Sequence, residues 1–362
     1  MAAGGGLTLQ LPDGRVKVLS DYASFELPRL PEGMVTEPTL TWDIGAERAG
    51  KQDFGLGYAT AGLAWRAEYV AVLSGAGQAC RMDFEGAAMV VNRAGADFGE
   101  VALTLVAGQP NRQPVAGPMM DSIEVSGTRV KAGYAMAPGA PAADASGEYH
   151  AYRLPGASQL PQGSVQRLPL IAPARGVPCE RRYETRSPQP GWRPRQPMVD
   201  ANFTLADGAQ PVIASLRFAN RKAGGLGIPL PAGRVRVFDG ADLLGEAALG
   251  HTPAEATVDL DLGAVFDLTA ERRRLEFRVD RSAREMIERI EVTVRNAKPA
   301  ASTVRVLEAL PRWSDWEISA SSAPAAKVDA QTTAFELLVP AGGEAQLTYT
   351  VRYRWAPDVT IE

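Results

Sequence analysis

Apolar residues recur at every second position through most of this chain, and few patterns restrict a fold as tightly. Successive side chains of a strand point to opposite faces, so a period of two predicts strands with one buried face. The closing stretch EAQLTYTVRYRW shows it best. Leu347, Tyr349, Val351, Tyr353 and Trp355 fall on one face, and Gln346, Thr348, Thr350, Arg352 and Arg354 on the other. An amphipathic helix needs spacings of three and four, which this run lacks. The same alternation marks Val258, Leu260 and Leu262, then Leu275, Phe277 and Val279, then Ile290, Val292 and Val294, and Val304 with Val306. The helix-prone segment 281–290 reads as a turn entering a strand.

Turn residues divide these runs. The 362 residues include 36 glycines and 27 prolines, and strands separated by turns every eight to twelve residues or so point to an all-β sandwich architecture. Leu7, Leu9 and Leu11 alternate, Asp13-Gly14 supplies a turn, and 15–19 alternate again, so the chain opens as a hairpin. The pattern dissolves between residues 108 and 147, a Pro/Gly-rich and low-complexity insert read as a long flexible loop. A second Pro-rich connector, SPQPGWRPRQP, spans 187–197. The expectation is an N-terminal hairpin region (1–37), then two consecutive antiparallel, Ig-like β-sandwich domains over 38–187 and 198–362.

Charge and rare residues narrow the function classes. Lys and Arg number 38 against 42 Asp and Glu, a net charge of -4, too near neutral for a general nucleic-acid binder. Cys80 and Cys179, 99 residues apart, are too few for a zinc site of four cysteine ligands and allow either one disulfide or two separate buried thiols. Two histidines, His150 and His251, provide poorly for histidine catalysis. The motifs G-x-S-x-G, H-E-x-x-H and C-x-x-C are absent. No apolar run reaches the ~18–20 residues of a membrane span, and the first residues show neither a basic nor an apolar signal-peptide region. The stretch GGLGIPLP (224–231) invites a phosphate-loop reading, but Pro229 and Pro231 remove two N–H groups and a strand pattern follows instead of a helix, so a structural turn is expected and no cofactor.

At TAGLAWRAEYVAVL (60–73) the sequence begins to resemble a known bacterial family. LTLVAGQPNR (103–112), EYHAYRLPG (148–156), RFANRKAGGLGIPLPAGRVRVF (217–238), FDLTAERR (266–273), VRNAKPAASTVRVLEALP (294–311) and the closing strand Tyr349 to Trp355 continue the likeness in order and spacing. The family is the domain of unknown function that forms the C-terminal part of mucoidy-inhibitor-like proteins. The resemblance implies a mostly β fold and a periplasmic or cell-envelope location. It carries no catalytic residues. Family members usually have a further N-terminal domain, so the 1–37 region reads as the remnant of a missing one.

Three groups of residues stand out as weak site candidates. His251 lies near Glu255, Asp259 and Asp261, a set that offers a general base or oxygen ligands, although Asp259 and Asp261 alternate with apolar residues as solvated strand acids do. Trp192, Arg193 and Arg195, at the end of a run containing Arg175, Arg181, Arg182 and Arg186, suit an anionic polysaccharide. Trp313 and Trp316 in PRWSDW are candidates for stacking on sugar rings. The expected function is a non-catalytic envelope module that contacts another envelope protein or a second copy of itself. A carbohydrate-binding module or glycan hydrolase is the alternative.

Overall fold

The computed structural model describes residues 41–45, 50, 51, 53–75, 77–108, 149–203, 207–359 and 361, together with Asp13, Arg15 and the backbone of strands 7–10, 16–19 and 142–146. In chain order the strands are β1 (Leu7–Gln10), β2 (Val16–Leu19), β3 (Leu63–Ser74), β4 (Ala79–Asn92), β5 (Phe98–Val101), β6 (Thr104–Ala107), β7 (Ala142–Ser146), β8 (Tyr149–Arg153), β9 (Ser158–Leu160) and β10 (Val165–Arg186). They continue as β11 (Gly208–Ala219), β12 (Gly233–Asp239), β13 (Asp242–Leu249), β14 (Thr257–Asp280), β15 (Glu285–Asn296), β16 (Ser302–Ala309), β17 (Trp316–Ser321), β18 (Ala326–Lys327), β19 (Thr332–Val339) and β20 (Glu344–Arg354). Among the described residues there is no α-helix, and a single 3₁₀ turn covers Lys222–Gly224. The opening hairpin pairs Leu7 with Leu19, and residues 281–284 turn into β15. The core of the proposed insert, 109–141, lies outside the described residues.

Thirteen strands form one sheet in the order β13-β12-β3-β4-β10-β11-β14-β15-β20-β17, with β16, β19 and β18 branching from β10. Two of its pairings, β3 with β12 and β10 with β16, are parallel. The expectation of purely antiparallel strands is corrected here: the fold is all-β, but the sheet is mixed. Short turns between neighbouring strands enforce antiparallel pairing, but β12 returns to β3 from well over a hundred residues away, and local alternation carries no sign of such a crossover.

One face of the sheet encloses two apolar cores. The first gathers Tyr69, Phe84, Val177, Phe218, Val235 and Leu260, and the second Val212, Ile290, Val304, Phe335, Tyr349 and Val351. The strands β10, β11 and β14 serve both: Val177, Leu216 and Leu260 point into the first, while Tyr183, Val212 and Leu268 point into the second. Residues 216–262, beyond the 187–197 connector, therefore contribute to the first core. The sheet rolls around each core. At one end a Cβ on Gly245 of β13 would sit 2.8 Å from the Leu262 carbonyl of β14, so only glycine allows this approach. At the other end Phe335 of β19 stacks on Tyr349 of β20 at 5.1 Å. The length of β10 depends on irregularities, because its register to β4 shifts three times between Pro169 and Val177, a stretch containing Pro169, Pro173 and Gly176.

Candidate functional site: a charged cleft where two cores meet

The opposite face of β10, β11 and β14 carries a cleft of about 1000 Å³, with β16 and β19 completing one wall. It forms where β10 changes partners. β10 pairs with β4 as far as Glu180, opposite Ala79, and with β16 from Tyr183, opposite Val304. Gln78 closes the interval: its backbone carbonyl accepts from Arg181 N–H at 2.7 Å, its amide donates to the carbonyl of Thr303 at 3.0 Å, and its Oε1 accepts from Thr303 N–H at 2.8 Å.

Cross-strand register turns the cleft floor into alternating charges. Asp259, Arg217 and Glu180 lie in one row, and Glu184, Arg305 and Glu336 in another. Arg217 grips Asp259 with two hydrogen bonds, 2.7 and 2.6 Å. That hydrogen bonding, with the guanidinium charge, holds the Asp259 carboxyl below its ordinary value and raises Arg217. Glu184 pairs with Arg186 (3.1 Å) and Arg305 (3.6 Å), and Arg305 reaches Glu336 (3.7 Å). Glu180 pairs with Arg182 at 3.6 Å. Asp259, held in its ionised form by Arg217, is a poor proton donor near neutral pH.

The Cys80 and Cys179 side chains form a disulfide at the edge of this cleft. The two residues are directly opposite in the β4/β10 register with Cα atoms 4.9 Å apart, a spacing within the range a bridge requires.

The structure disperses the acids near His251. Its Nδ1 accepts from Ala232 N–H at 3.2 Å, Glu255 pairs with Arg221 at 3.4 Å, Asp259 belongs to Arg217, and Asp261 Oδ1 accepts from Gly263 N–H. Among the described residues no group of three or more His, Cys, Asp or Glu is placed to hold a metal ion. The GGLGIPLP segment is a plug for the first core: Leu226 and Leu230 are buried, Tyr69 Oη donates to the Pro231 carbonyl at 2.8 Å, and Tyr152 Oη to that of Pro229 at 3.0 Å. Gly227 has φ 84°, and a Cβ there would lie 2.5 Å from the Lys222 nitrogen.

Trp313 and Trp316 are half-buried and pack against the second core, with Trp316 Nε1 donating to the Ala330 carbonyl at 2.7 Å and Lys327 over its ring. Trp65 packs on the first core. Trp192 and Arg193 border a shallow depression with Gln331, and Arg193 and Arg195 are exposed. His150, half-buried on β8, pairs across strands with Ala107.

Sequence reading missed two features. The first is a recurring asparagine staple. Fully buried Asn92 donates to the carbonyls of Ala96 (2.8 Å) and Leu160 (2.7 Å) and accepts from Ala94 N–H, while Asn296 donates to those of Ala300 (2.9 Å) and Val339 (3.3 Å) and accepts from Lys298 N–H. Both close a long strand onto the loop after it, and Asn220 does the same for the Gly-rich turn. The second is a buried ionic network in the second core. Glu308 Oε2 accepts from Arg272 Nε (2.9 Å) and Tyr349 Oη (2.6 Å), and Arg272 also meets Asp207 at 2.9 Å. Burial and the neighbouring Glu308 charge push the Tyr349 hydroxyl well above its usual value. Arg312 pairs with Glu288 at 2.8 Å, lies over the Phe277 ring, and donates to the carbonyls of Met198, Asp200 and Phe203. The sequence signal was available: Glu308 interrupts the apolar faces of VRVLEAL, and Arg272 follows Leu268 and Ala270 on a buried face.

No helix among the described residues is long and apolar enough to cross a membrane. Comparison with curated proteins and with solved structures returns no match. Residues 54–357 match the family described as Domain of unknown function (DUF4139), so the chain belongs to that family.

Proposed function

We propose that this protein is a non-catalytic β module of the bacterial cell envelope, related to the C-terminal part of mucoidy-inhibitor-like proteins, that works by protein–protein contact. The observation that carries this reading is the segment before β3. Phe54, Leu56 and Tyr58 alternate with glycines and are 66%, 56% and 59% exposed, and Trp42 and Ile44 upstream are also exposed. Large apolar side chains concentrated on one open stretch favour a partner surface. Two further features agree with it: arginine holds most of the cleft acids, and a Cys80–Cys179 bridge suits an oxidising compartment. The half-buried placement of Trp313 and Trp316 weighs against a sugar-stacking platform.

A benzophenone amino acid placed at 54, 56 or 58 of the full chain and irradiated in intact cells tests the reading. A discrete intermolecular adduct, with another envelope protein or a second copy, is expected. Adducts confined to the chain itself overturn it. The connector favours a second reading, in which Trp192, Arg193 and Arg195 hold an anionic polysaccharide. Binding to dextran sulfate that weakens with salt and disappears in Arg193→Glu/Arg195→Glu supports that reading, and no binding at low salt discards it.

A further inference from the structure

The second core contains a row of polar side chains that the protein's own hydrogen bonds leave incomplete. Across adjacent strands the register places Thr333 opposite Glu308, and Gln210 opposite Ala270. Continuing the β10 pairings by two residues beyond Thr185 brings Ser187 between Glu308 and Gln210. All of these polar residues are buried, and Thr185 lies two residues before Ser187, also buried. Four atoms here lack a partner: Glu308 Oε1, Gln210 Oε1 and Nε2, and Thr185 Oγ1. Among the described residues the first core has no comparable group of orphaned atoms.

We infer that ordered water occupies the space above Ser187 and bridges Glu308 Oε1, the Gln210 amide and Thr185 Oγ1. Glu308 and Gln210 stand two strands apart, roughly 9–10 Å at the backbone given ~4.8 Å per strand, and the side chain between them is the short Ser187. Ser187 Oγ is itself engaged by Ala309 N–H at 2.7 Å. The site offers donors and acceptors together, which water satisfies and an apolar occupant does not. A metal cation fits poorly, because the Arg272 guanidinium already sits on the other oxygen of the same carboxylate.

A high-resolution crystal structure of the full chain, combined with oxygen-17 relaxation dispersion in solution, tests this. Expected are density peaks within about 3.2 Å of Glu308 Oε1 and of Gln210 or Thr185, and a count of long-lived internal waters that falls by at least one in Gln210→Met. Thr185→Val, close to isosteric, provides a second variant should Gln210→Met fold poorly. An empty row, a direct Glu308–Gln210 hydrogen bond, or an unchanged water count in both variants overturns the inference.

Discussion

In the first core Tyr69 stacks on Phe84, Phe84 meets Phe218, and the surrounding interior is apolar. In the second, Arg272, Glu308, Glu288 and Arg312 are buried among valines and tyrosines. Both cores use the same backing strands, so the difference comes from how each roll is fixed. The Cys80–Cys179 bridge and the Gly-rich plug fix the first. The second is fixed by two buried charge pairs, Arg272 of β14 with Glu308 of β16 and Glu288 of β15 with Arg312 just after β16, and the Tyr349 hydroxyl of β20 donates to Glu308. Buried ion pairs contribute little net stability over apolar packing, but removing one partner leaves a stranded charge, so they penalise any other register. Sharing strands thus does not impose a shared interior.

The sharpest way to break this contrast is Arg272→Met, which leaves Glu308 without its guanidinium. Urea unfolding is expected to show a loss of about 3–5 kcal/mol, most of it recovered in Arg272→Met/Glu308→Leu. A loss under about 1 kcal/mol in the single variant defeats the argument. Next comes Cys80→Ala/Cys179→Ala, expected to cost about 2–4 kcal/mol. Hydrogen exchange then locates the damage: β3 and β4 lose protection while β15 and β20 keep theirs, and equal losses in both mean that the cores open as one unit. Asn92→Ala and Asn296→Ala remove the same staple from different cores, and each is expected to cost about 1–3 kcal/mol. A large inequality between them shows that the staple's worth depends on its core.

The smallest effect belongs to the cleft. Asp259 has a folded pKa below its usual 3.8, so its contribution is complete above that value and is lost as pH falls through the folded one. The pair with Arg217 is partly exposed, so Asp259→Asn is expected to change stability at pH 6 by no more than about 0.5–1 kcal/mol and to leave little difference from wild type near pH 2. A larger change at pH 6 makes the cleft a structural element comparable to either core.

Period two made the strand content legible, because Leu347 to Trp355 and Val304 to Val306 each present one face to a core. Asp13-Gly14 gave the hairpin. The long strands were not legible as units: SVQRLPLIAP and ERRYET read as separate, yet register shifts around Pro169 and Pro173 let β10 continue through both. β14 likewise continues past Gly263, which has φ 93°. Proline and glycine signal a break in local reasoning, and only pairing with neighbours on both sides decides between a turn and a bulge. The cleft was less legible still. Arg182, Glu184 and Arg186 look like a solvated charged face, and their relation to Arg217, Asp259 and Arg305 exists only in the cross-strand register.

The parallel pairing of β3 with β12 has a consequence for synthesis. β3 ends at Ser74 and β12 begins at Gly233, so a chain emerging from its N-terminus presents one edge of the β3/β4 hairpin for more than a hundred residues before its partner exists. At elongation rates of about 5–20 residues per second, that is a wait of several seconds or more. During it the backbone edge of β3 from Ala67 to Leu73 is unpaired and open to foreign strands, and the Cys80–Cys179 bridge, which ties β4 to β10 on the other side of the hairpin, leaves that edge uncovered until β12 arrives.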